Sequence, residues 1–467
     1  MQPNRTLTDG SISRSLLFFT LPILIGNVLH SLNGSVNAIW VGRFLGEAAL
    51  TATSIANTVM FLLLGCVFGV SMAATILVGQ SIGASDFKEA RRVVGTSASF
   101  FALLSVGLSI AGWLLCRPLL LSMGTPADSL PFAMAYMRVI FLALPFMYML
   151  AFVVSVLRGA GDSKTPFQFM LMSVVIDIAL NPLFIFGWGP VPAFGIAGSG
   201  LATLVAQAVS LFALVNHLYR RRHMLCLHAD ELALLRMDPI IVGTLVRKGF
   251  PMGLQMLVLS LSGVLMITLV NRFGVDTTAA FGAALQVWSY IQMPAFAVGM
   301  AVSAMAAQNV GAGKWDRVAT TAKIGCLYSF LLTGSIVVII EIFARQALGL
   351  FLPAGSAALD IAVHLNRIVA WSFVFFGVTM VLFGVVRATG AVLAPLLILV
   401  FTLLLIRYPA AELLLDAWQA DAIWWSFPIS SLIAVVMAVA YYKYGNWRVA
   451  RMPGARSTDV EATIPAD

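Results

Sequence analysis

The amino-acid sequence predicts an all-α polytopic membrane protein with twelve transmembrane helices in two pseudo-symmetric six-helix lobes. Three observations carry this reading. Of 467 residues, 60% are hydrophobic and 10% charged, too little charge to cover a soluble surface of that size. Apolar runs of about 20 residues, the length that crosses a hydrocarbon core of about 30 Å, recur along the whole chain. The first half also matches the second at an offset of 228–229 residues.

In chain order, the apolar runs place spans near 15–42, 50–79, 93–116, 131–157, 165–187, 194–218, 244–271, 278–306, 320–344, 361–386, 391–413 and 422–442. Residues 1–14 form a polar N-terminal segment without the short apolar core and cleavage site of a removable signal. The first lobe covers 15–218, a linker 219–243, the second lobe 244–442, and a polar tail 443–467 that is expected to be disordered. With both termini on one side, 21 of the 28 Lys and Arg residues fall on that side and seven on the other. Basic loops stay cytoplasmic, so both termini are expected there.

The repeat rests on Pro, Gly and Arg positions. Pro22 pairs with Pro251, Arg43 with Arg272, Gln80 and Gly83 with Gln308 and Gly311, and Arg138 with Arg367. Arg158, Gly161 and Pro166 pair with Arg387, Gly390 and Pro395. Six spans per repeat is an even number, so the halves share one orientation. Transporters with such parallel repeats bind substrate between the halves and rock them alternately.

The net charge of +8 sits in short loops rather than in an aromatic-interleaved patch, which argues against nucleic acid. The four cysteines are scattered, without a C-x-x-C pair, so neither a disulfide framework nor a zinc site is expected. GIAGSG at 195–200 and GAGDSKTP at 159–166 lack the strand context and spacing of nucleotide loops. No H-E-x-x-H, paired-acid or Ser-His set is present. The chain is expected to be neither an enzyme nor a cofactor protein.

A charge at the bilayer centre costs about 2.5–3.5 kcal/mol on insertion scales and marks function by default. Of 20 acidic residues, Asp177 alone falls mid-span. A carboxyl there can bind a proton, or a sodium ion with neutral oxygens around it. Asn181, one turn on, shares its helix face. Asn37 lies at similar depth in the first span, with Asn33 one turn earlier and His30 near the same stripe; Ser199 and Thr203 form another one-turn pair. Asp177, Asn181 and Asn37 are the expected ion-coupling residues. His30, Asn33, Ser199 and Thr203 are pocket candidates, with Gln255, Gln286, Tyr290 and Gln292 in the second half. Mid-span basic residues read as absent, with Arg138 and Arg367 near outer ends.

Several segments together resemble one family. LPILIGNVLHSLNGSVNAIWVGRFLGEAALTATSIA, GQSIGASDFKEARR with its repeat AQNVGAGKWDRVA, LRGAGDSKTP, LNPLFIFGWG, FGIAGSGLATLVAQ and IWWSFPISS are similar to the multidrug and toxic compound extrusion transporters, and the resemblance is strongest to the DNA-damage-inducible (DinF-like) branch. It implies a V-shaped pair of lobes alternating between outward and inward states. It also implies export of cationic, amphipathic organic molecules against a proton or sodium gradient, as a monomer in the plasma (bacterial inner) membrane. The chain departs from the family pattern at two points. Asn37 stands where an acid is common, and Asp177-x-x-x-Asn181 exchanges the usual order of amide and acid. A lipid-linked oligosaccharide flippase is the alternative; it calls for several basic residues lining the central cavity.

Overall fold

The computed structural model describes residues 7–188, 190–449 and 452, with the side chains of residues 62, 64, 66, 229, 230 and 232 left aside. The expectations for residues 1–6 and for nearly all of the tail beyond 449 lie outside the described residues. In hydrocarbon every backbone polar group must be satisfied within its own segment, and the chain is accordingly helical. The first six helices are α1 (Ile12–Leu45), α2 (Glu47–Gly83), α3 (Phe87–Ser122), α4 (Leu130–Gly159), α5 (Lys164–Phe186) and α6 (Ile196–Arg220). The next three are α7 (Pro239–Val270), α8 (Val275–Gly311) and α9 (Trp315–Ile342). They are followed by α10 (Ala344–Gly349), α11 (Ala357–Val369), α12 (Ser372–Ala388), α13 (Leu393–Leu399), α14 (Tyr408–Trp418) and α15 (Ala420–Tyr444).

Among the described residues, 10 helices are long and apolar enough to cross a membrane, and the pair α11–α12, bent by 44°, makes an eleventh. The 37-residue α2 takes the remaining place in the predicted order of twelve. Local sequence sets the ends. Ser11 and Asp86 accept from Arg14 N and Glu89 N at the starts of α1 and α3, and Asp238 caps α7 with Pro239 at its first position, where a missing N–H costs nothing.

Two details of the spans differ from the sequence reading. The tenth span is broken between Val369 and Ser372. The eleventh runs from Leu393 to Trp418, five residues past the predicted end, and its middle, Val400–Arg407, is π-helical. Pro409 lacks the N–H that would close an α-turn on the Leu405 carbonyl, which favours the wider turn. The longer span moves Arg407 from an edge to the centre, eleven residues before Trp418. The expectation of no mid-span basic residue is therefore corrected.

The linker is shorter than predicted, because α6 runs to Arg220 and α7 starts at Pro239. A short 3-10 helix, Ala229–Leu235, lies within it. The linker is tied to α3: Arg91 pairs with Glu231 at 2.9 Å, Arg92 pairs with Asp238, and Ser99 Oγ donates to Leu235 O at 2.7 Å. Burial pushes the Asp238 carboxyl up, but the Ile240 N–H and the Arg92 guanidinium outweigh it and hold the group below the ordinary carboxylate range.

The two lobes meet on the face that carries the start of α1 and the end of α15. There α2 and α8 cross so closely that a Cβ on Gly83 would stand 1.9 Å from Gln308 O, and one on Gly311 2.0 Å from Gln80 O. Only glycine fits at either position. Across the crossing, Gln80 Nε2 donates to Ala388 O at 2.6 Å, and Gln308 Nε2 donates to Gly159 O at 2.8 Å. These repeat-related bonds cap the last carbonyls of α12 and α4 and close that face.

Candidate ion-coupling site in the first lobe

Three helices each bring a pair of polar residues one turn apart to a single point: Asn33 and Asn37 from α1, Asp177 and Asn181 from α5, Ser199 and Thr203 from α6. Asp177 is 2% exposed and Asn181 fully buried. Its two carboxylate oxygens accept from four donors. On Oδ2, Asn33 Nδ2 donates at 2.6 Å and Asn37 Nδ2 at 3.1 Å. On Oδ1, Thr203 Oγ1 donates at 3.2 Å and Asn181 Nδ2 at 3.3 Å. Asn181 Nδ2 also donates to Asn37 Oδ1 at 2.9 Å and to the Asp177 backbone carbonyl at 2.9 Å, which ties α5 to α1.

This donor set suits an ionised carboxylate, which only accepts hydrogen bonds. Two acceptors are left over. Asn33 Oδ1 and Asn181 Oδ1 are buried without a hydrogen-bond partner among the described residues, although such groups nearly always find one. A carboxylate ringed by carboxamide and hydroxyl oxygens offers the oxygen ligands that hard cations favour. The same amides, turned over, can accept a hydrogen bond from a protonated Asp177. Among the described residues, no group of three or more His, Cys, Asp and Glu forms a site for other metals.

The surroundings set access. Trp40, Phe44 and Phe186 pack with ring centroids 5.1–6.2 Å apart at the ends of α1 and α5 away from the termini, one turn beyond Asn37. His30 and Tyr136 lie within electrostatic reach of Asp177. His30 is exposed and Tyr136 buried. The sequence gives no signal for Tyr136, since a tyrosine in an apolar span reads as packing. Ser199 reaches the cluster through its backbone carbonyl, which accepts from Thr203 Oγ1 at 3.3 Å.

The second-lobe candidates do not join this cluster. Gln255 accepts from Arg387 Nη1 at 3.2 Å near the closed face. Gln292 Nε2 donates to its own helix at Trp288 O, 3.3 Å away. Gln286 is exposed and Tyr290 half-buried on α8.

Comparison with known proteins agrees with this architecture. The MatE family model matches residues 22–183 and again 251–412, the same repeat at the same offset. The chain is 35% identical to "Probable multidrug resistance protein YoeA" of Bacillus subtilis (strain 168), over 93% of this chain and 94% of that protein. It is 32% identical to "Probable multidrug resistance protein YpnP" of the same organism, over 95% and 98%. Its fold matches a solved structure described as "Outward-facing conformation of a multidrug resistance MATE family transporter of the MOP superfamily", with a TM-score of 0.87 at 20% identity, covering 95% of this chain and 97% of that one.

Proposed function

This chain belongs to the MatE family, the multidrug and toxic compound extrusion transporters, and on that premise we propose that it exports organic cations by exchange with protons or sodium ions at Asp177. The relatives' names are those of multidrug resistance proteins and do not favour the flippase alternative. The observation that carries the proposal is the convergence of four donors on one buried mid-span carboxylate beside two carboxamide oxygens without a partner among the described residues. A transporter needs no catalytic group.

The exchange follows from charge. A buried carboxylate is stable when neutralised, and either the coupling ion or a cationic substrate can do that. Binding of the ion to Asp177 releases the Asn33 and Asn37 amides, which loosens α1 from α5. Pro22 removes a helix bond lower in α1, and proline marks where helices bend. α1 therefore bends most easily between its anchored start and the site. Ligands shift the two-state equilibrium only by their differential affinity for each state; competition for one carboxylate supplies that difference.

The Lys and Arg bias supports cytoplasmic termini in a bacterial inner membrane. The closed face would then be the cytoplasmic one, with the cavity open outward. The intact first-lobe acid, without a mid-span acid in the second lobe, supports the DinF-like branch.

The test is efflux of a fluorescent organic cation from proteoliposomes, with proton and sodium gradients imposed separately on wild type and Asp177→Asn. Gradient-driven efflux in wild type and background efflux in the variant is the expected result. Equal efflux in both would leave Asp177 a packing role.

A further inference from the structure

The second lobe holds a charge of opposite sign one residue beyond the position that corresponds to Asp177. The matched family segments are offset by 229 residues, which sets Ile406 opposite Asp177 and Arg407 one residue beyond. Arg407 closes the π-helical stretch of the eleventh span, and π-turns inside α-helices concentrate at functional sites. Its head is held by hydroxyls of the lobe's last helix; in the first lobe the last helix supplies one hydroxyl, Thr203, to Asp177. Arg407 Nε donates to Ser430 Oγ at 2.8 Å and Nη2 to Ser431 Oγ at 3.5 Å.

The guanidinium carbon lies 4.4 Å from the centre of the Phe427 ring. That ring packs on Trp288 and Phe281 of α8, so the arginine faces the interior of the lobe rather than lipid. Nor does it reach out to the interface. Ser430 lies eleven residues from the Gln419 turn and Arg407 twelve, so the head stays at the depth of its own backbone.

Among the described residues Arg407 has no carboxylate in ion-pair contact, and the acid nearest in sequence, Glu412, is taken by Arg272 at 3.0 Å. A central charge without a counter-ion marks a ligand or ion path. An arginine fork with open donors matches a carboxylate or phosphate oxygen pair, and the Phe427 face beside it accommodates the adjoining apolar ring or chain.

We infer that Arg407, with Ser430 and Ser431, is an anion-recognition subsite in the second lobe, which selects amphipathic substrates carrying a carboxylate or phosphate group. The inference rests on the reading of the chain as an exporter of organic molecules. It narrows the cargo from simple cations to molecules bearing both charges, the cationic end exchanging at Asp177 and the anionic end seated at Arg407.

The test is binding of a rhodamine dye to the full-length chain in lipid nanodiscs, comparing the free benzoate form with its methyl ester. Wild type is expected to bind the free acid at least about tenfold more tightly, about 1.4 kcal/mol. Arg407→Gln is expected to bring the two forms within about twofold while ester affinity holds. Arg407→Met, apolar and of similar length, is read by the same ratio and covers a folding failure of the first variant. A wild type that binds both forms equally, favours the ester or binds neither overturns the proposal, as does a preference that survives both substitutions. Because the ratio is read in binding, its failure leaves gradient-driven efflux standing, and a failure of efflux leaves the ratio standing.

Discussion

The two lobes come from one repeated pattern, yet their fifth spans carry opposite charges. In the first lobe Asp177 sits on a regular α-helix and is saturated by four donors from three helices. In the second, Arg407 sits on a π-helical turn, is held by two serines and one ring, and keeps donors to spare. Both fifth spans thus carry a charge supported from the lobe's last helix, one residue apart in the repeat, and the two charges differ in sign and saturation. A saturated carboxylate changes its surroundings when an ion binds. An open guanidinium binds without such a change. On the reading proposed above, the first lobe couples and the second recognises.

The largest expected effect separates these roles. Asn33→Leu or Asn37→Leu removes a hydrogen bond to a charged group, worth about 1.5–3 kcal/mol, and should weaken ion dependence of efflux roughly 10–100-fold. Arg407→Gln should leave ion dependence unchanged. Titrating efflux against external proton and sodium concentration checks both, and a loss of ion dependence in the Arg407 variant would break the division of labour.

Next comes the seal. Gly83→Ala and Gly311→Ala each force a methyl group into a carbonyl of the facing helix, an overpacking that typically costs about 1–3 kcal/mol. The two should open the terminal face equally, read as labelling of an introduced cysteine from that side. Unequal opening would show that the lobes are not equivalent there.

A smaller effect belongs to the linker. Asp238→Ala removes the N-cap of α7, a loss of about 1 kcal/mol, seen as a lower unfolding temperature near neutrality. The Asp238 carboxyl is held below its ordinary value, so its contribution is present above the unfolded pKa of about 4. It is lost as pH falls through the lower folded value, and the gap between variant and wild type should close in acid. The smallest effects refine the site itself. Thr203→Val should lower efflux a few-fold, because its hydroxyl is shared with Ser199 O. Ser199→Ala should change nothing measurable in the same assay, because its side chain takes no part.

Much of the first-lobe cluster was legible in the sequence. A lone mid-span acid is costly enough to stand out, and one-turn spacing of Asn33 with Asn37, Asp177 with Asn181 and Ser199 with Thr203 marks faces that must turn inward. The repeat was legible because Pro, Gly and Arg positions are constrained by backbone geometry rather than by packing alone. Tyr136 was not, since its approach to Asp177 depends on how α4 meets α5 and α6. Arg407 was missed for a reason of boundaries. Reading the eleventh span as ending at 413 left Arg407 near the interface, and five further residues set it at the centre. The π-turn that aims it has no apolar period of its own. The second-half glutamines were singled out for polarity, which cannot distinguish Gln255, bonded to Arg387 at the closed face, from a group lining a cavity.

The central claim, that ion and substrate compete for Asp177, is tested most directly by counting ions released on substrate binding. Tetraphenylphosphonium added to the purified chain in weak buffer, with proton release followed by pH and sodium release by a sodium-selective electrode, reads this without any gradient. The account predicts release of about one proton or sodium ion per bound cation by wild type, from the charge balance of a single buried carboxylate, and none by Asp177→Asn. Equal release by both proteins would contradict it.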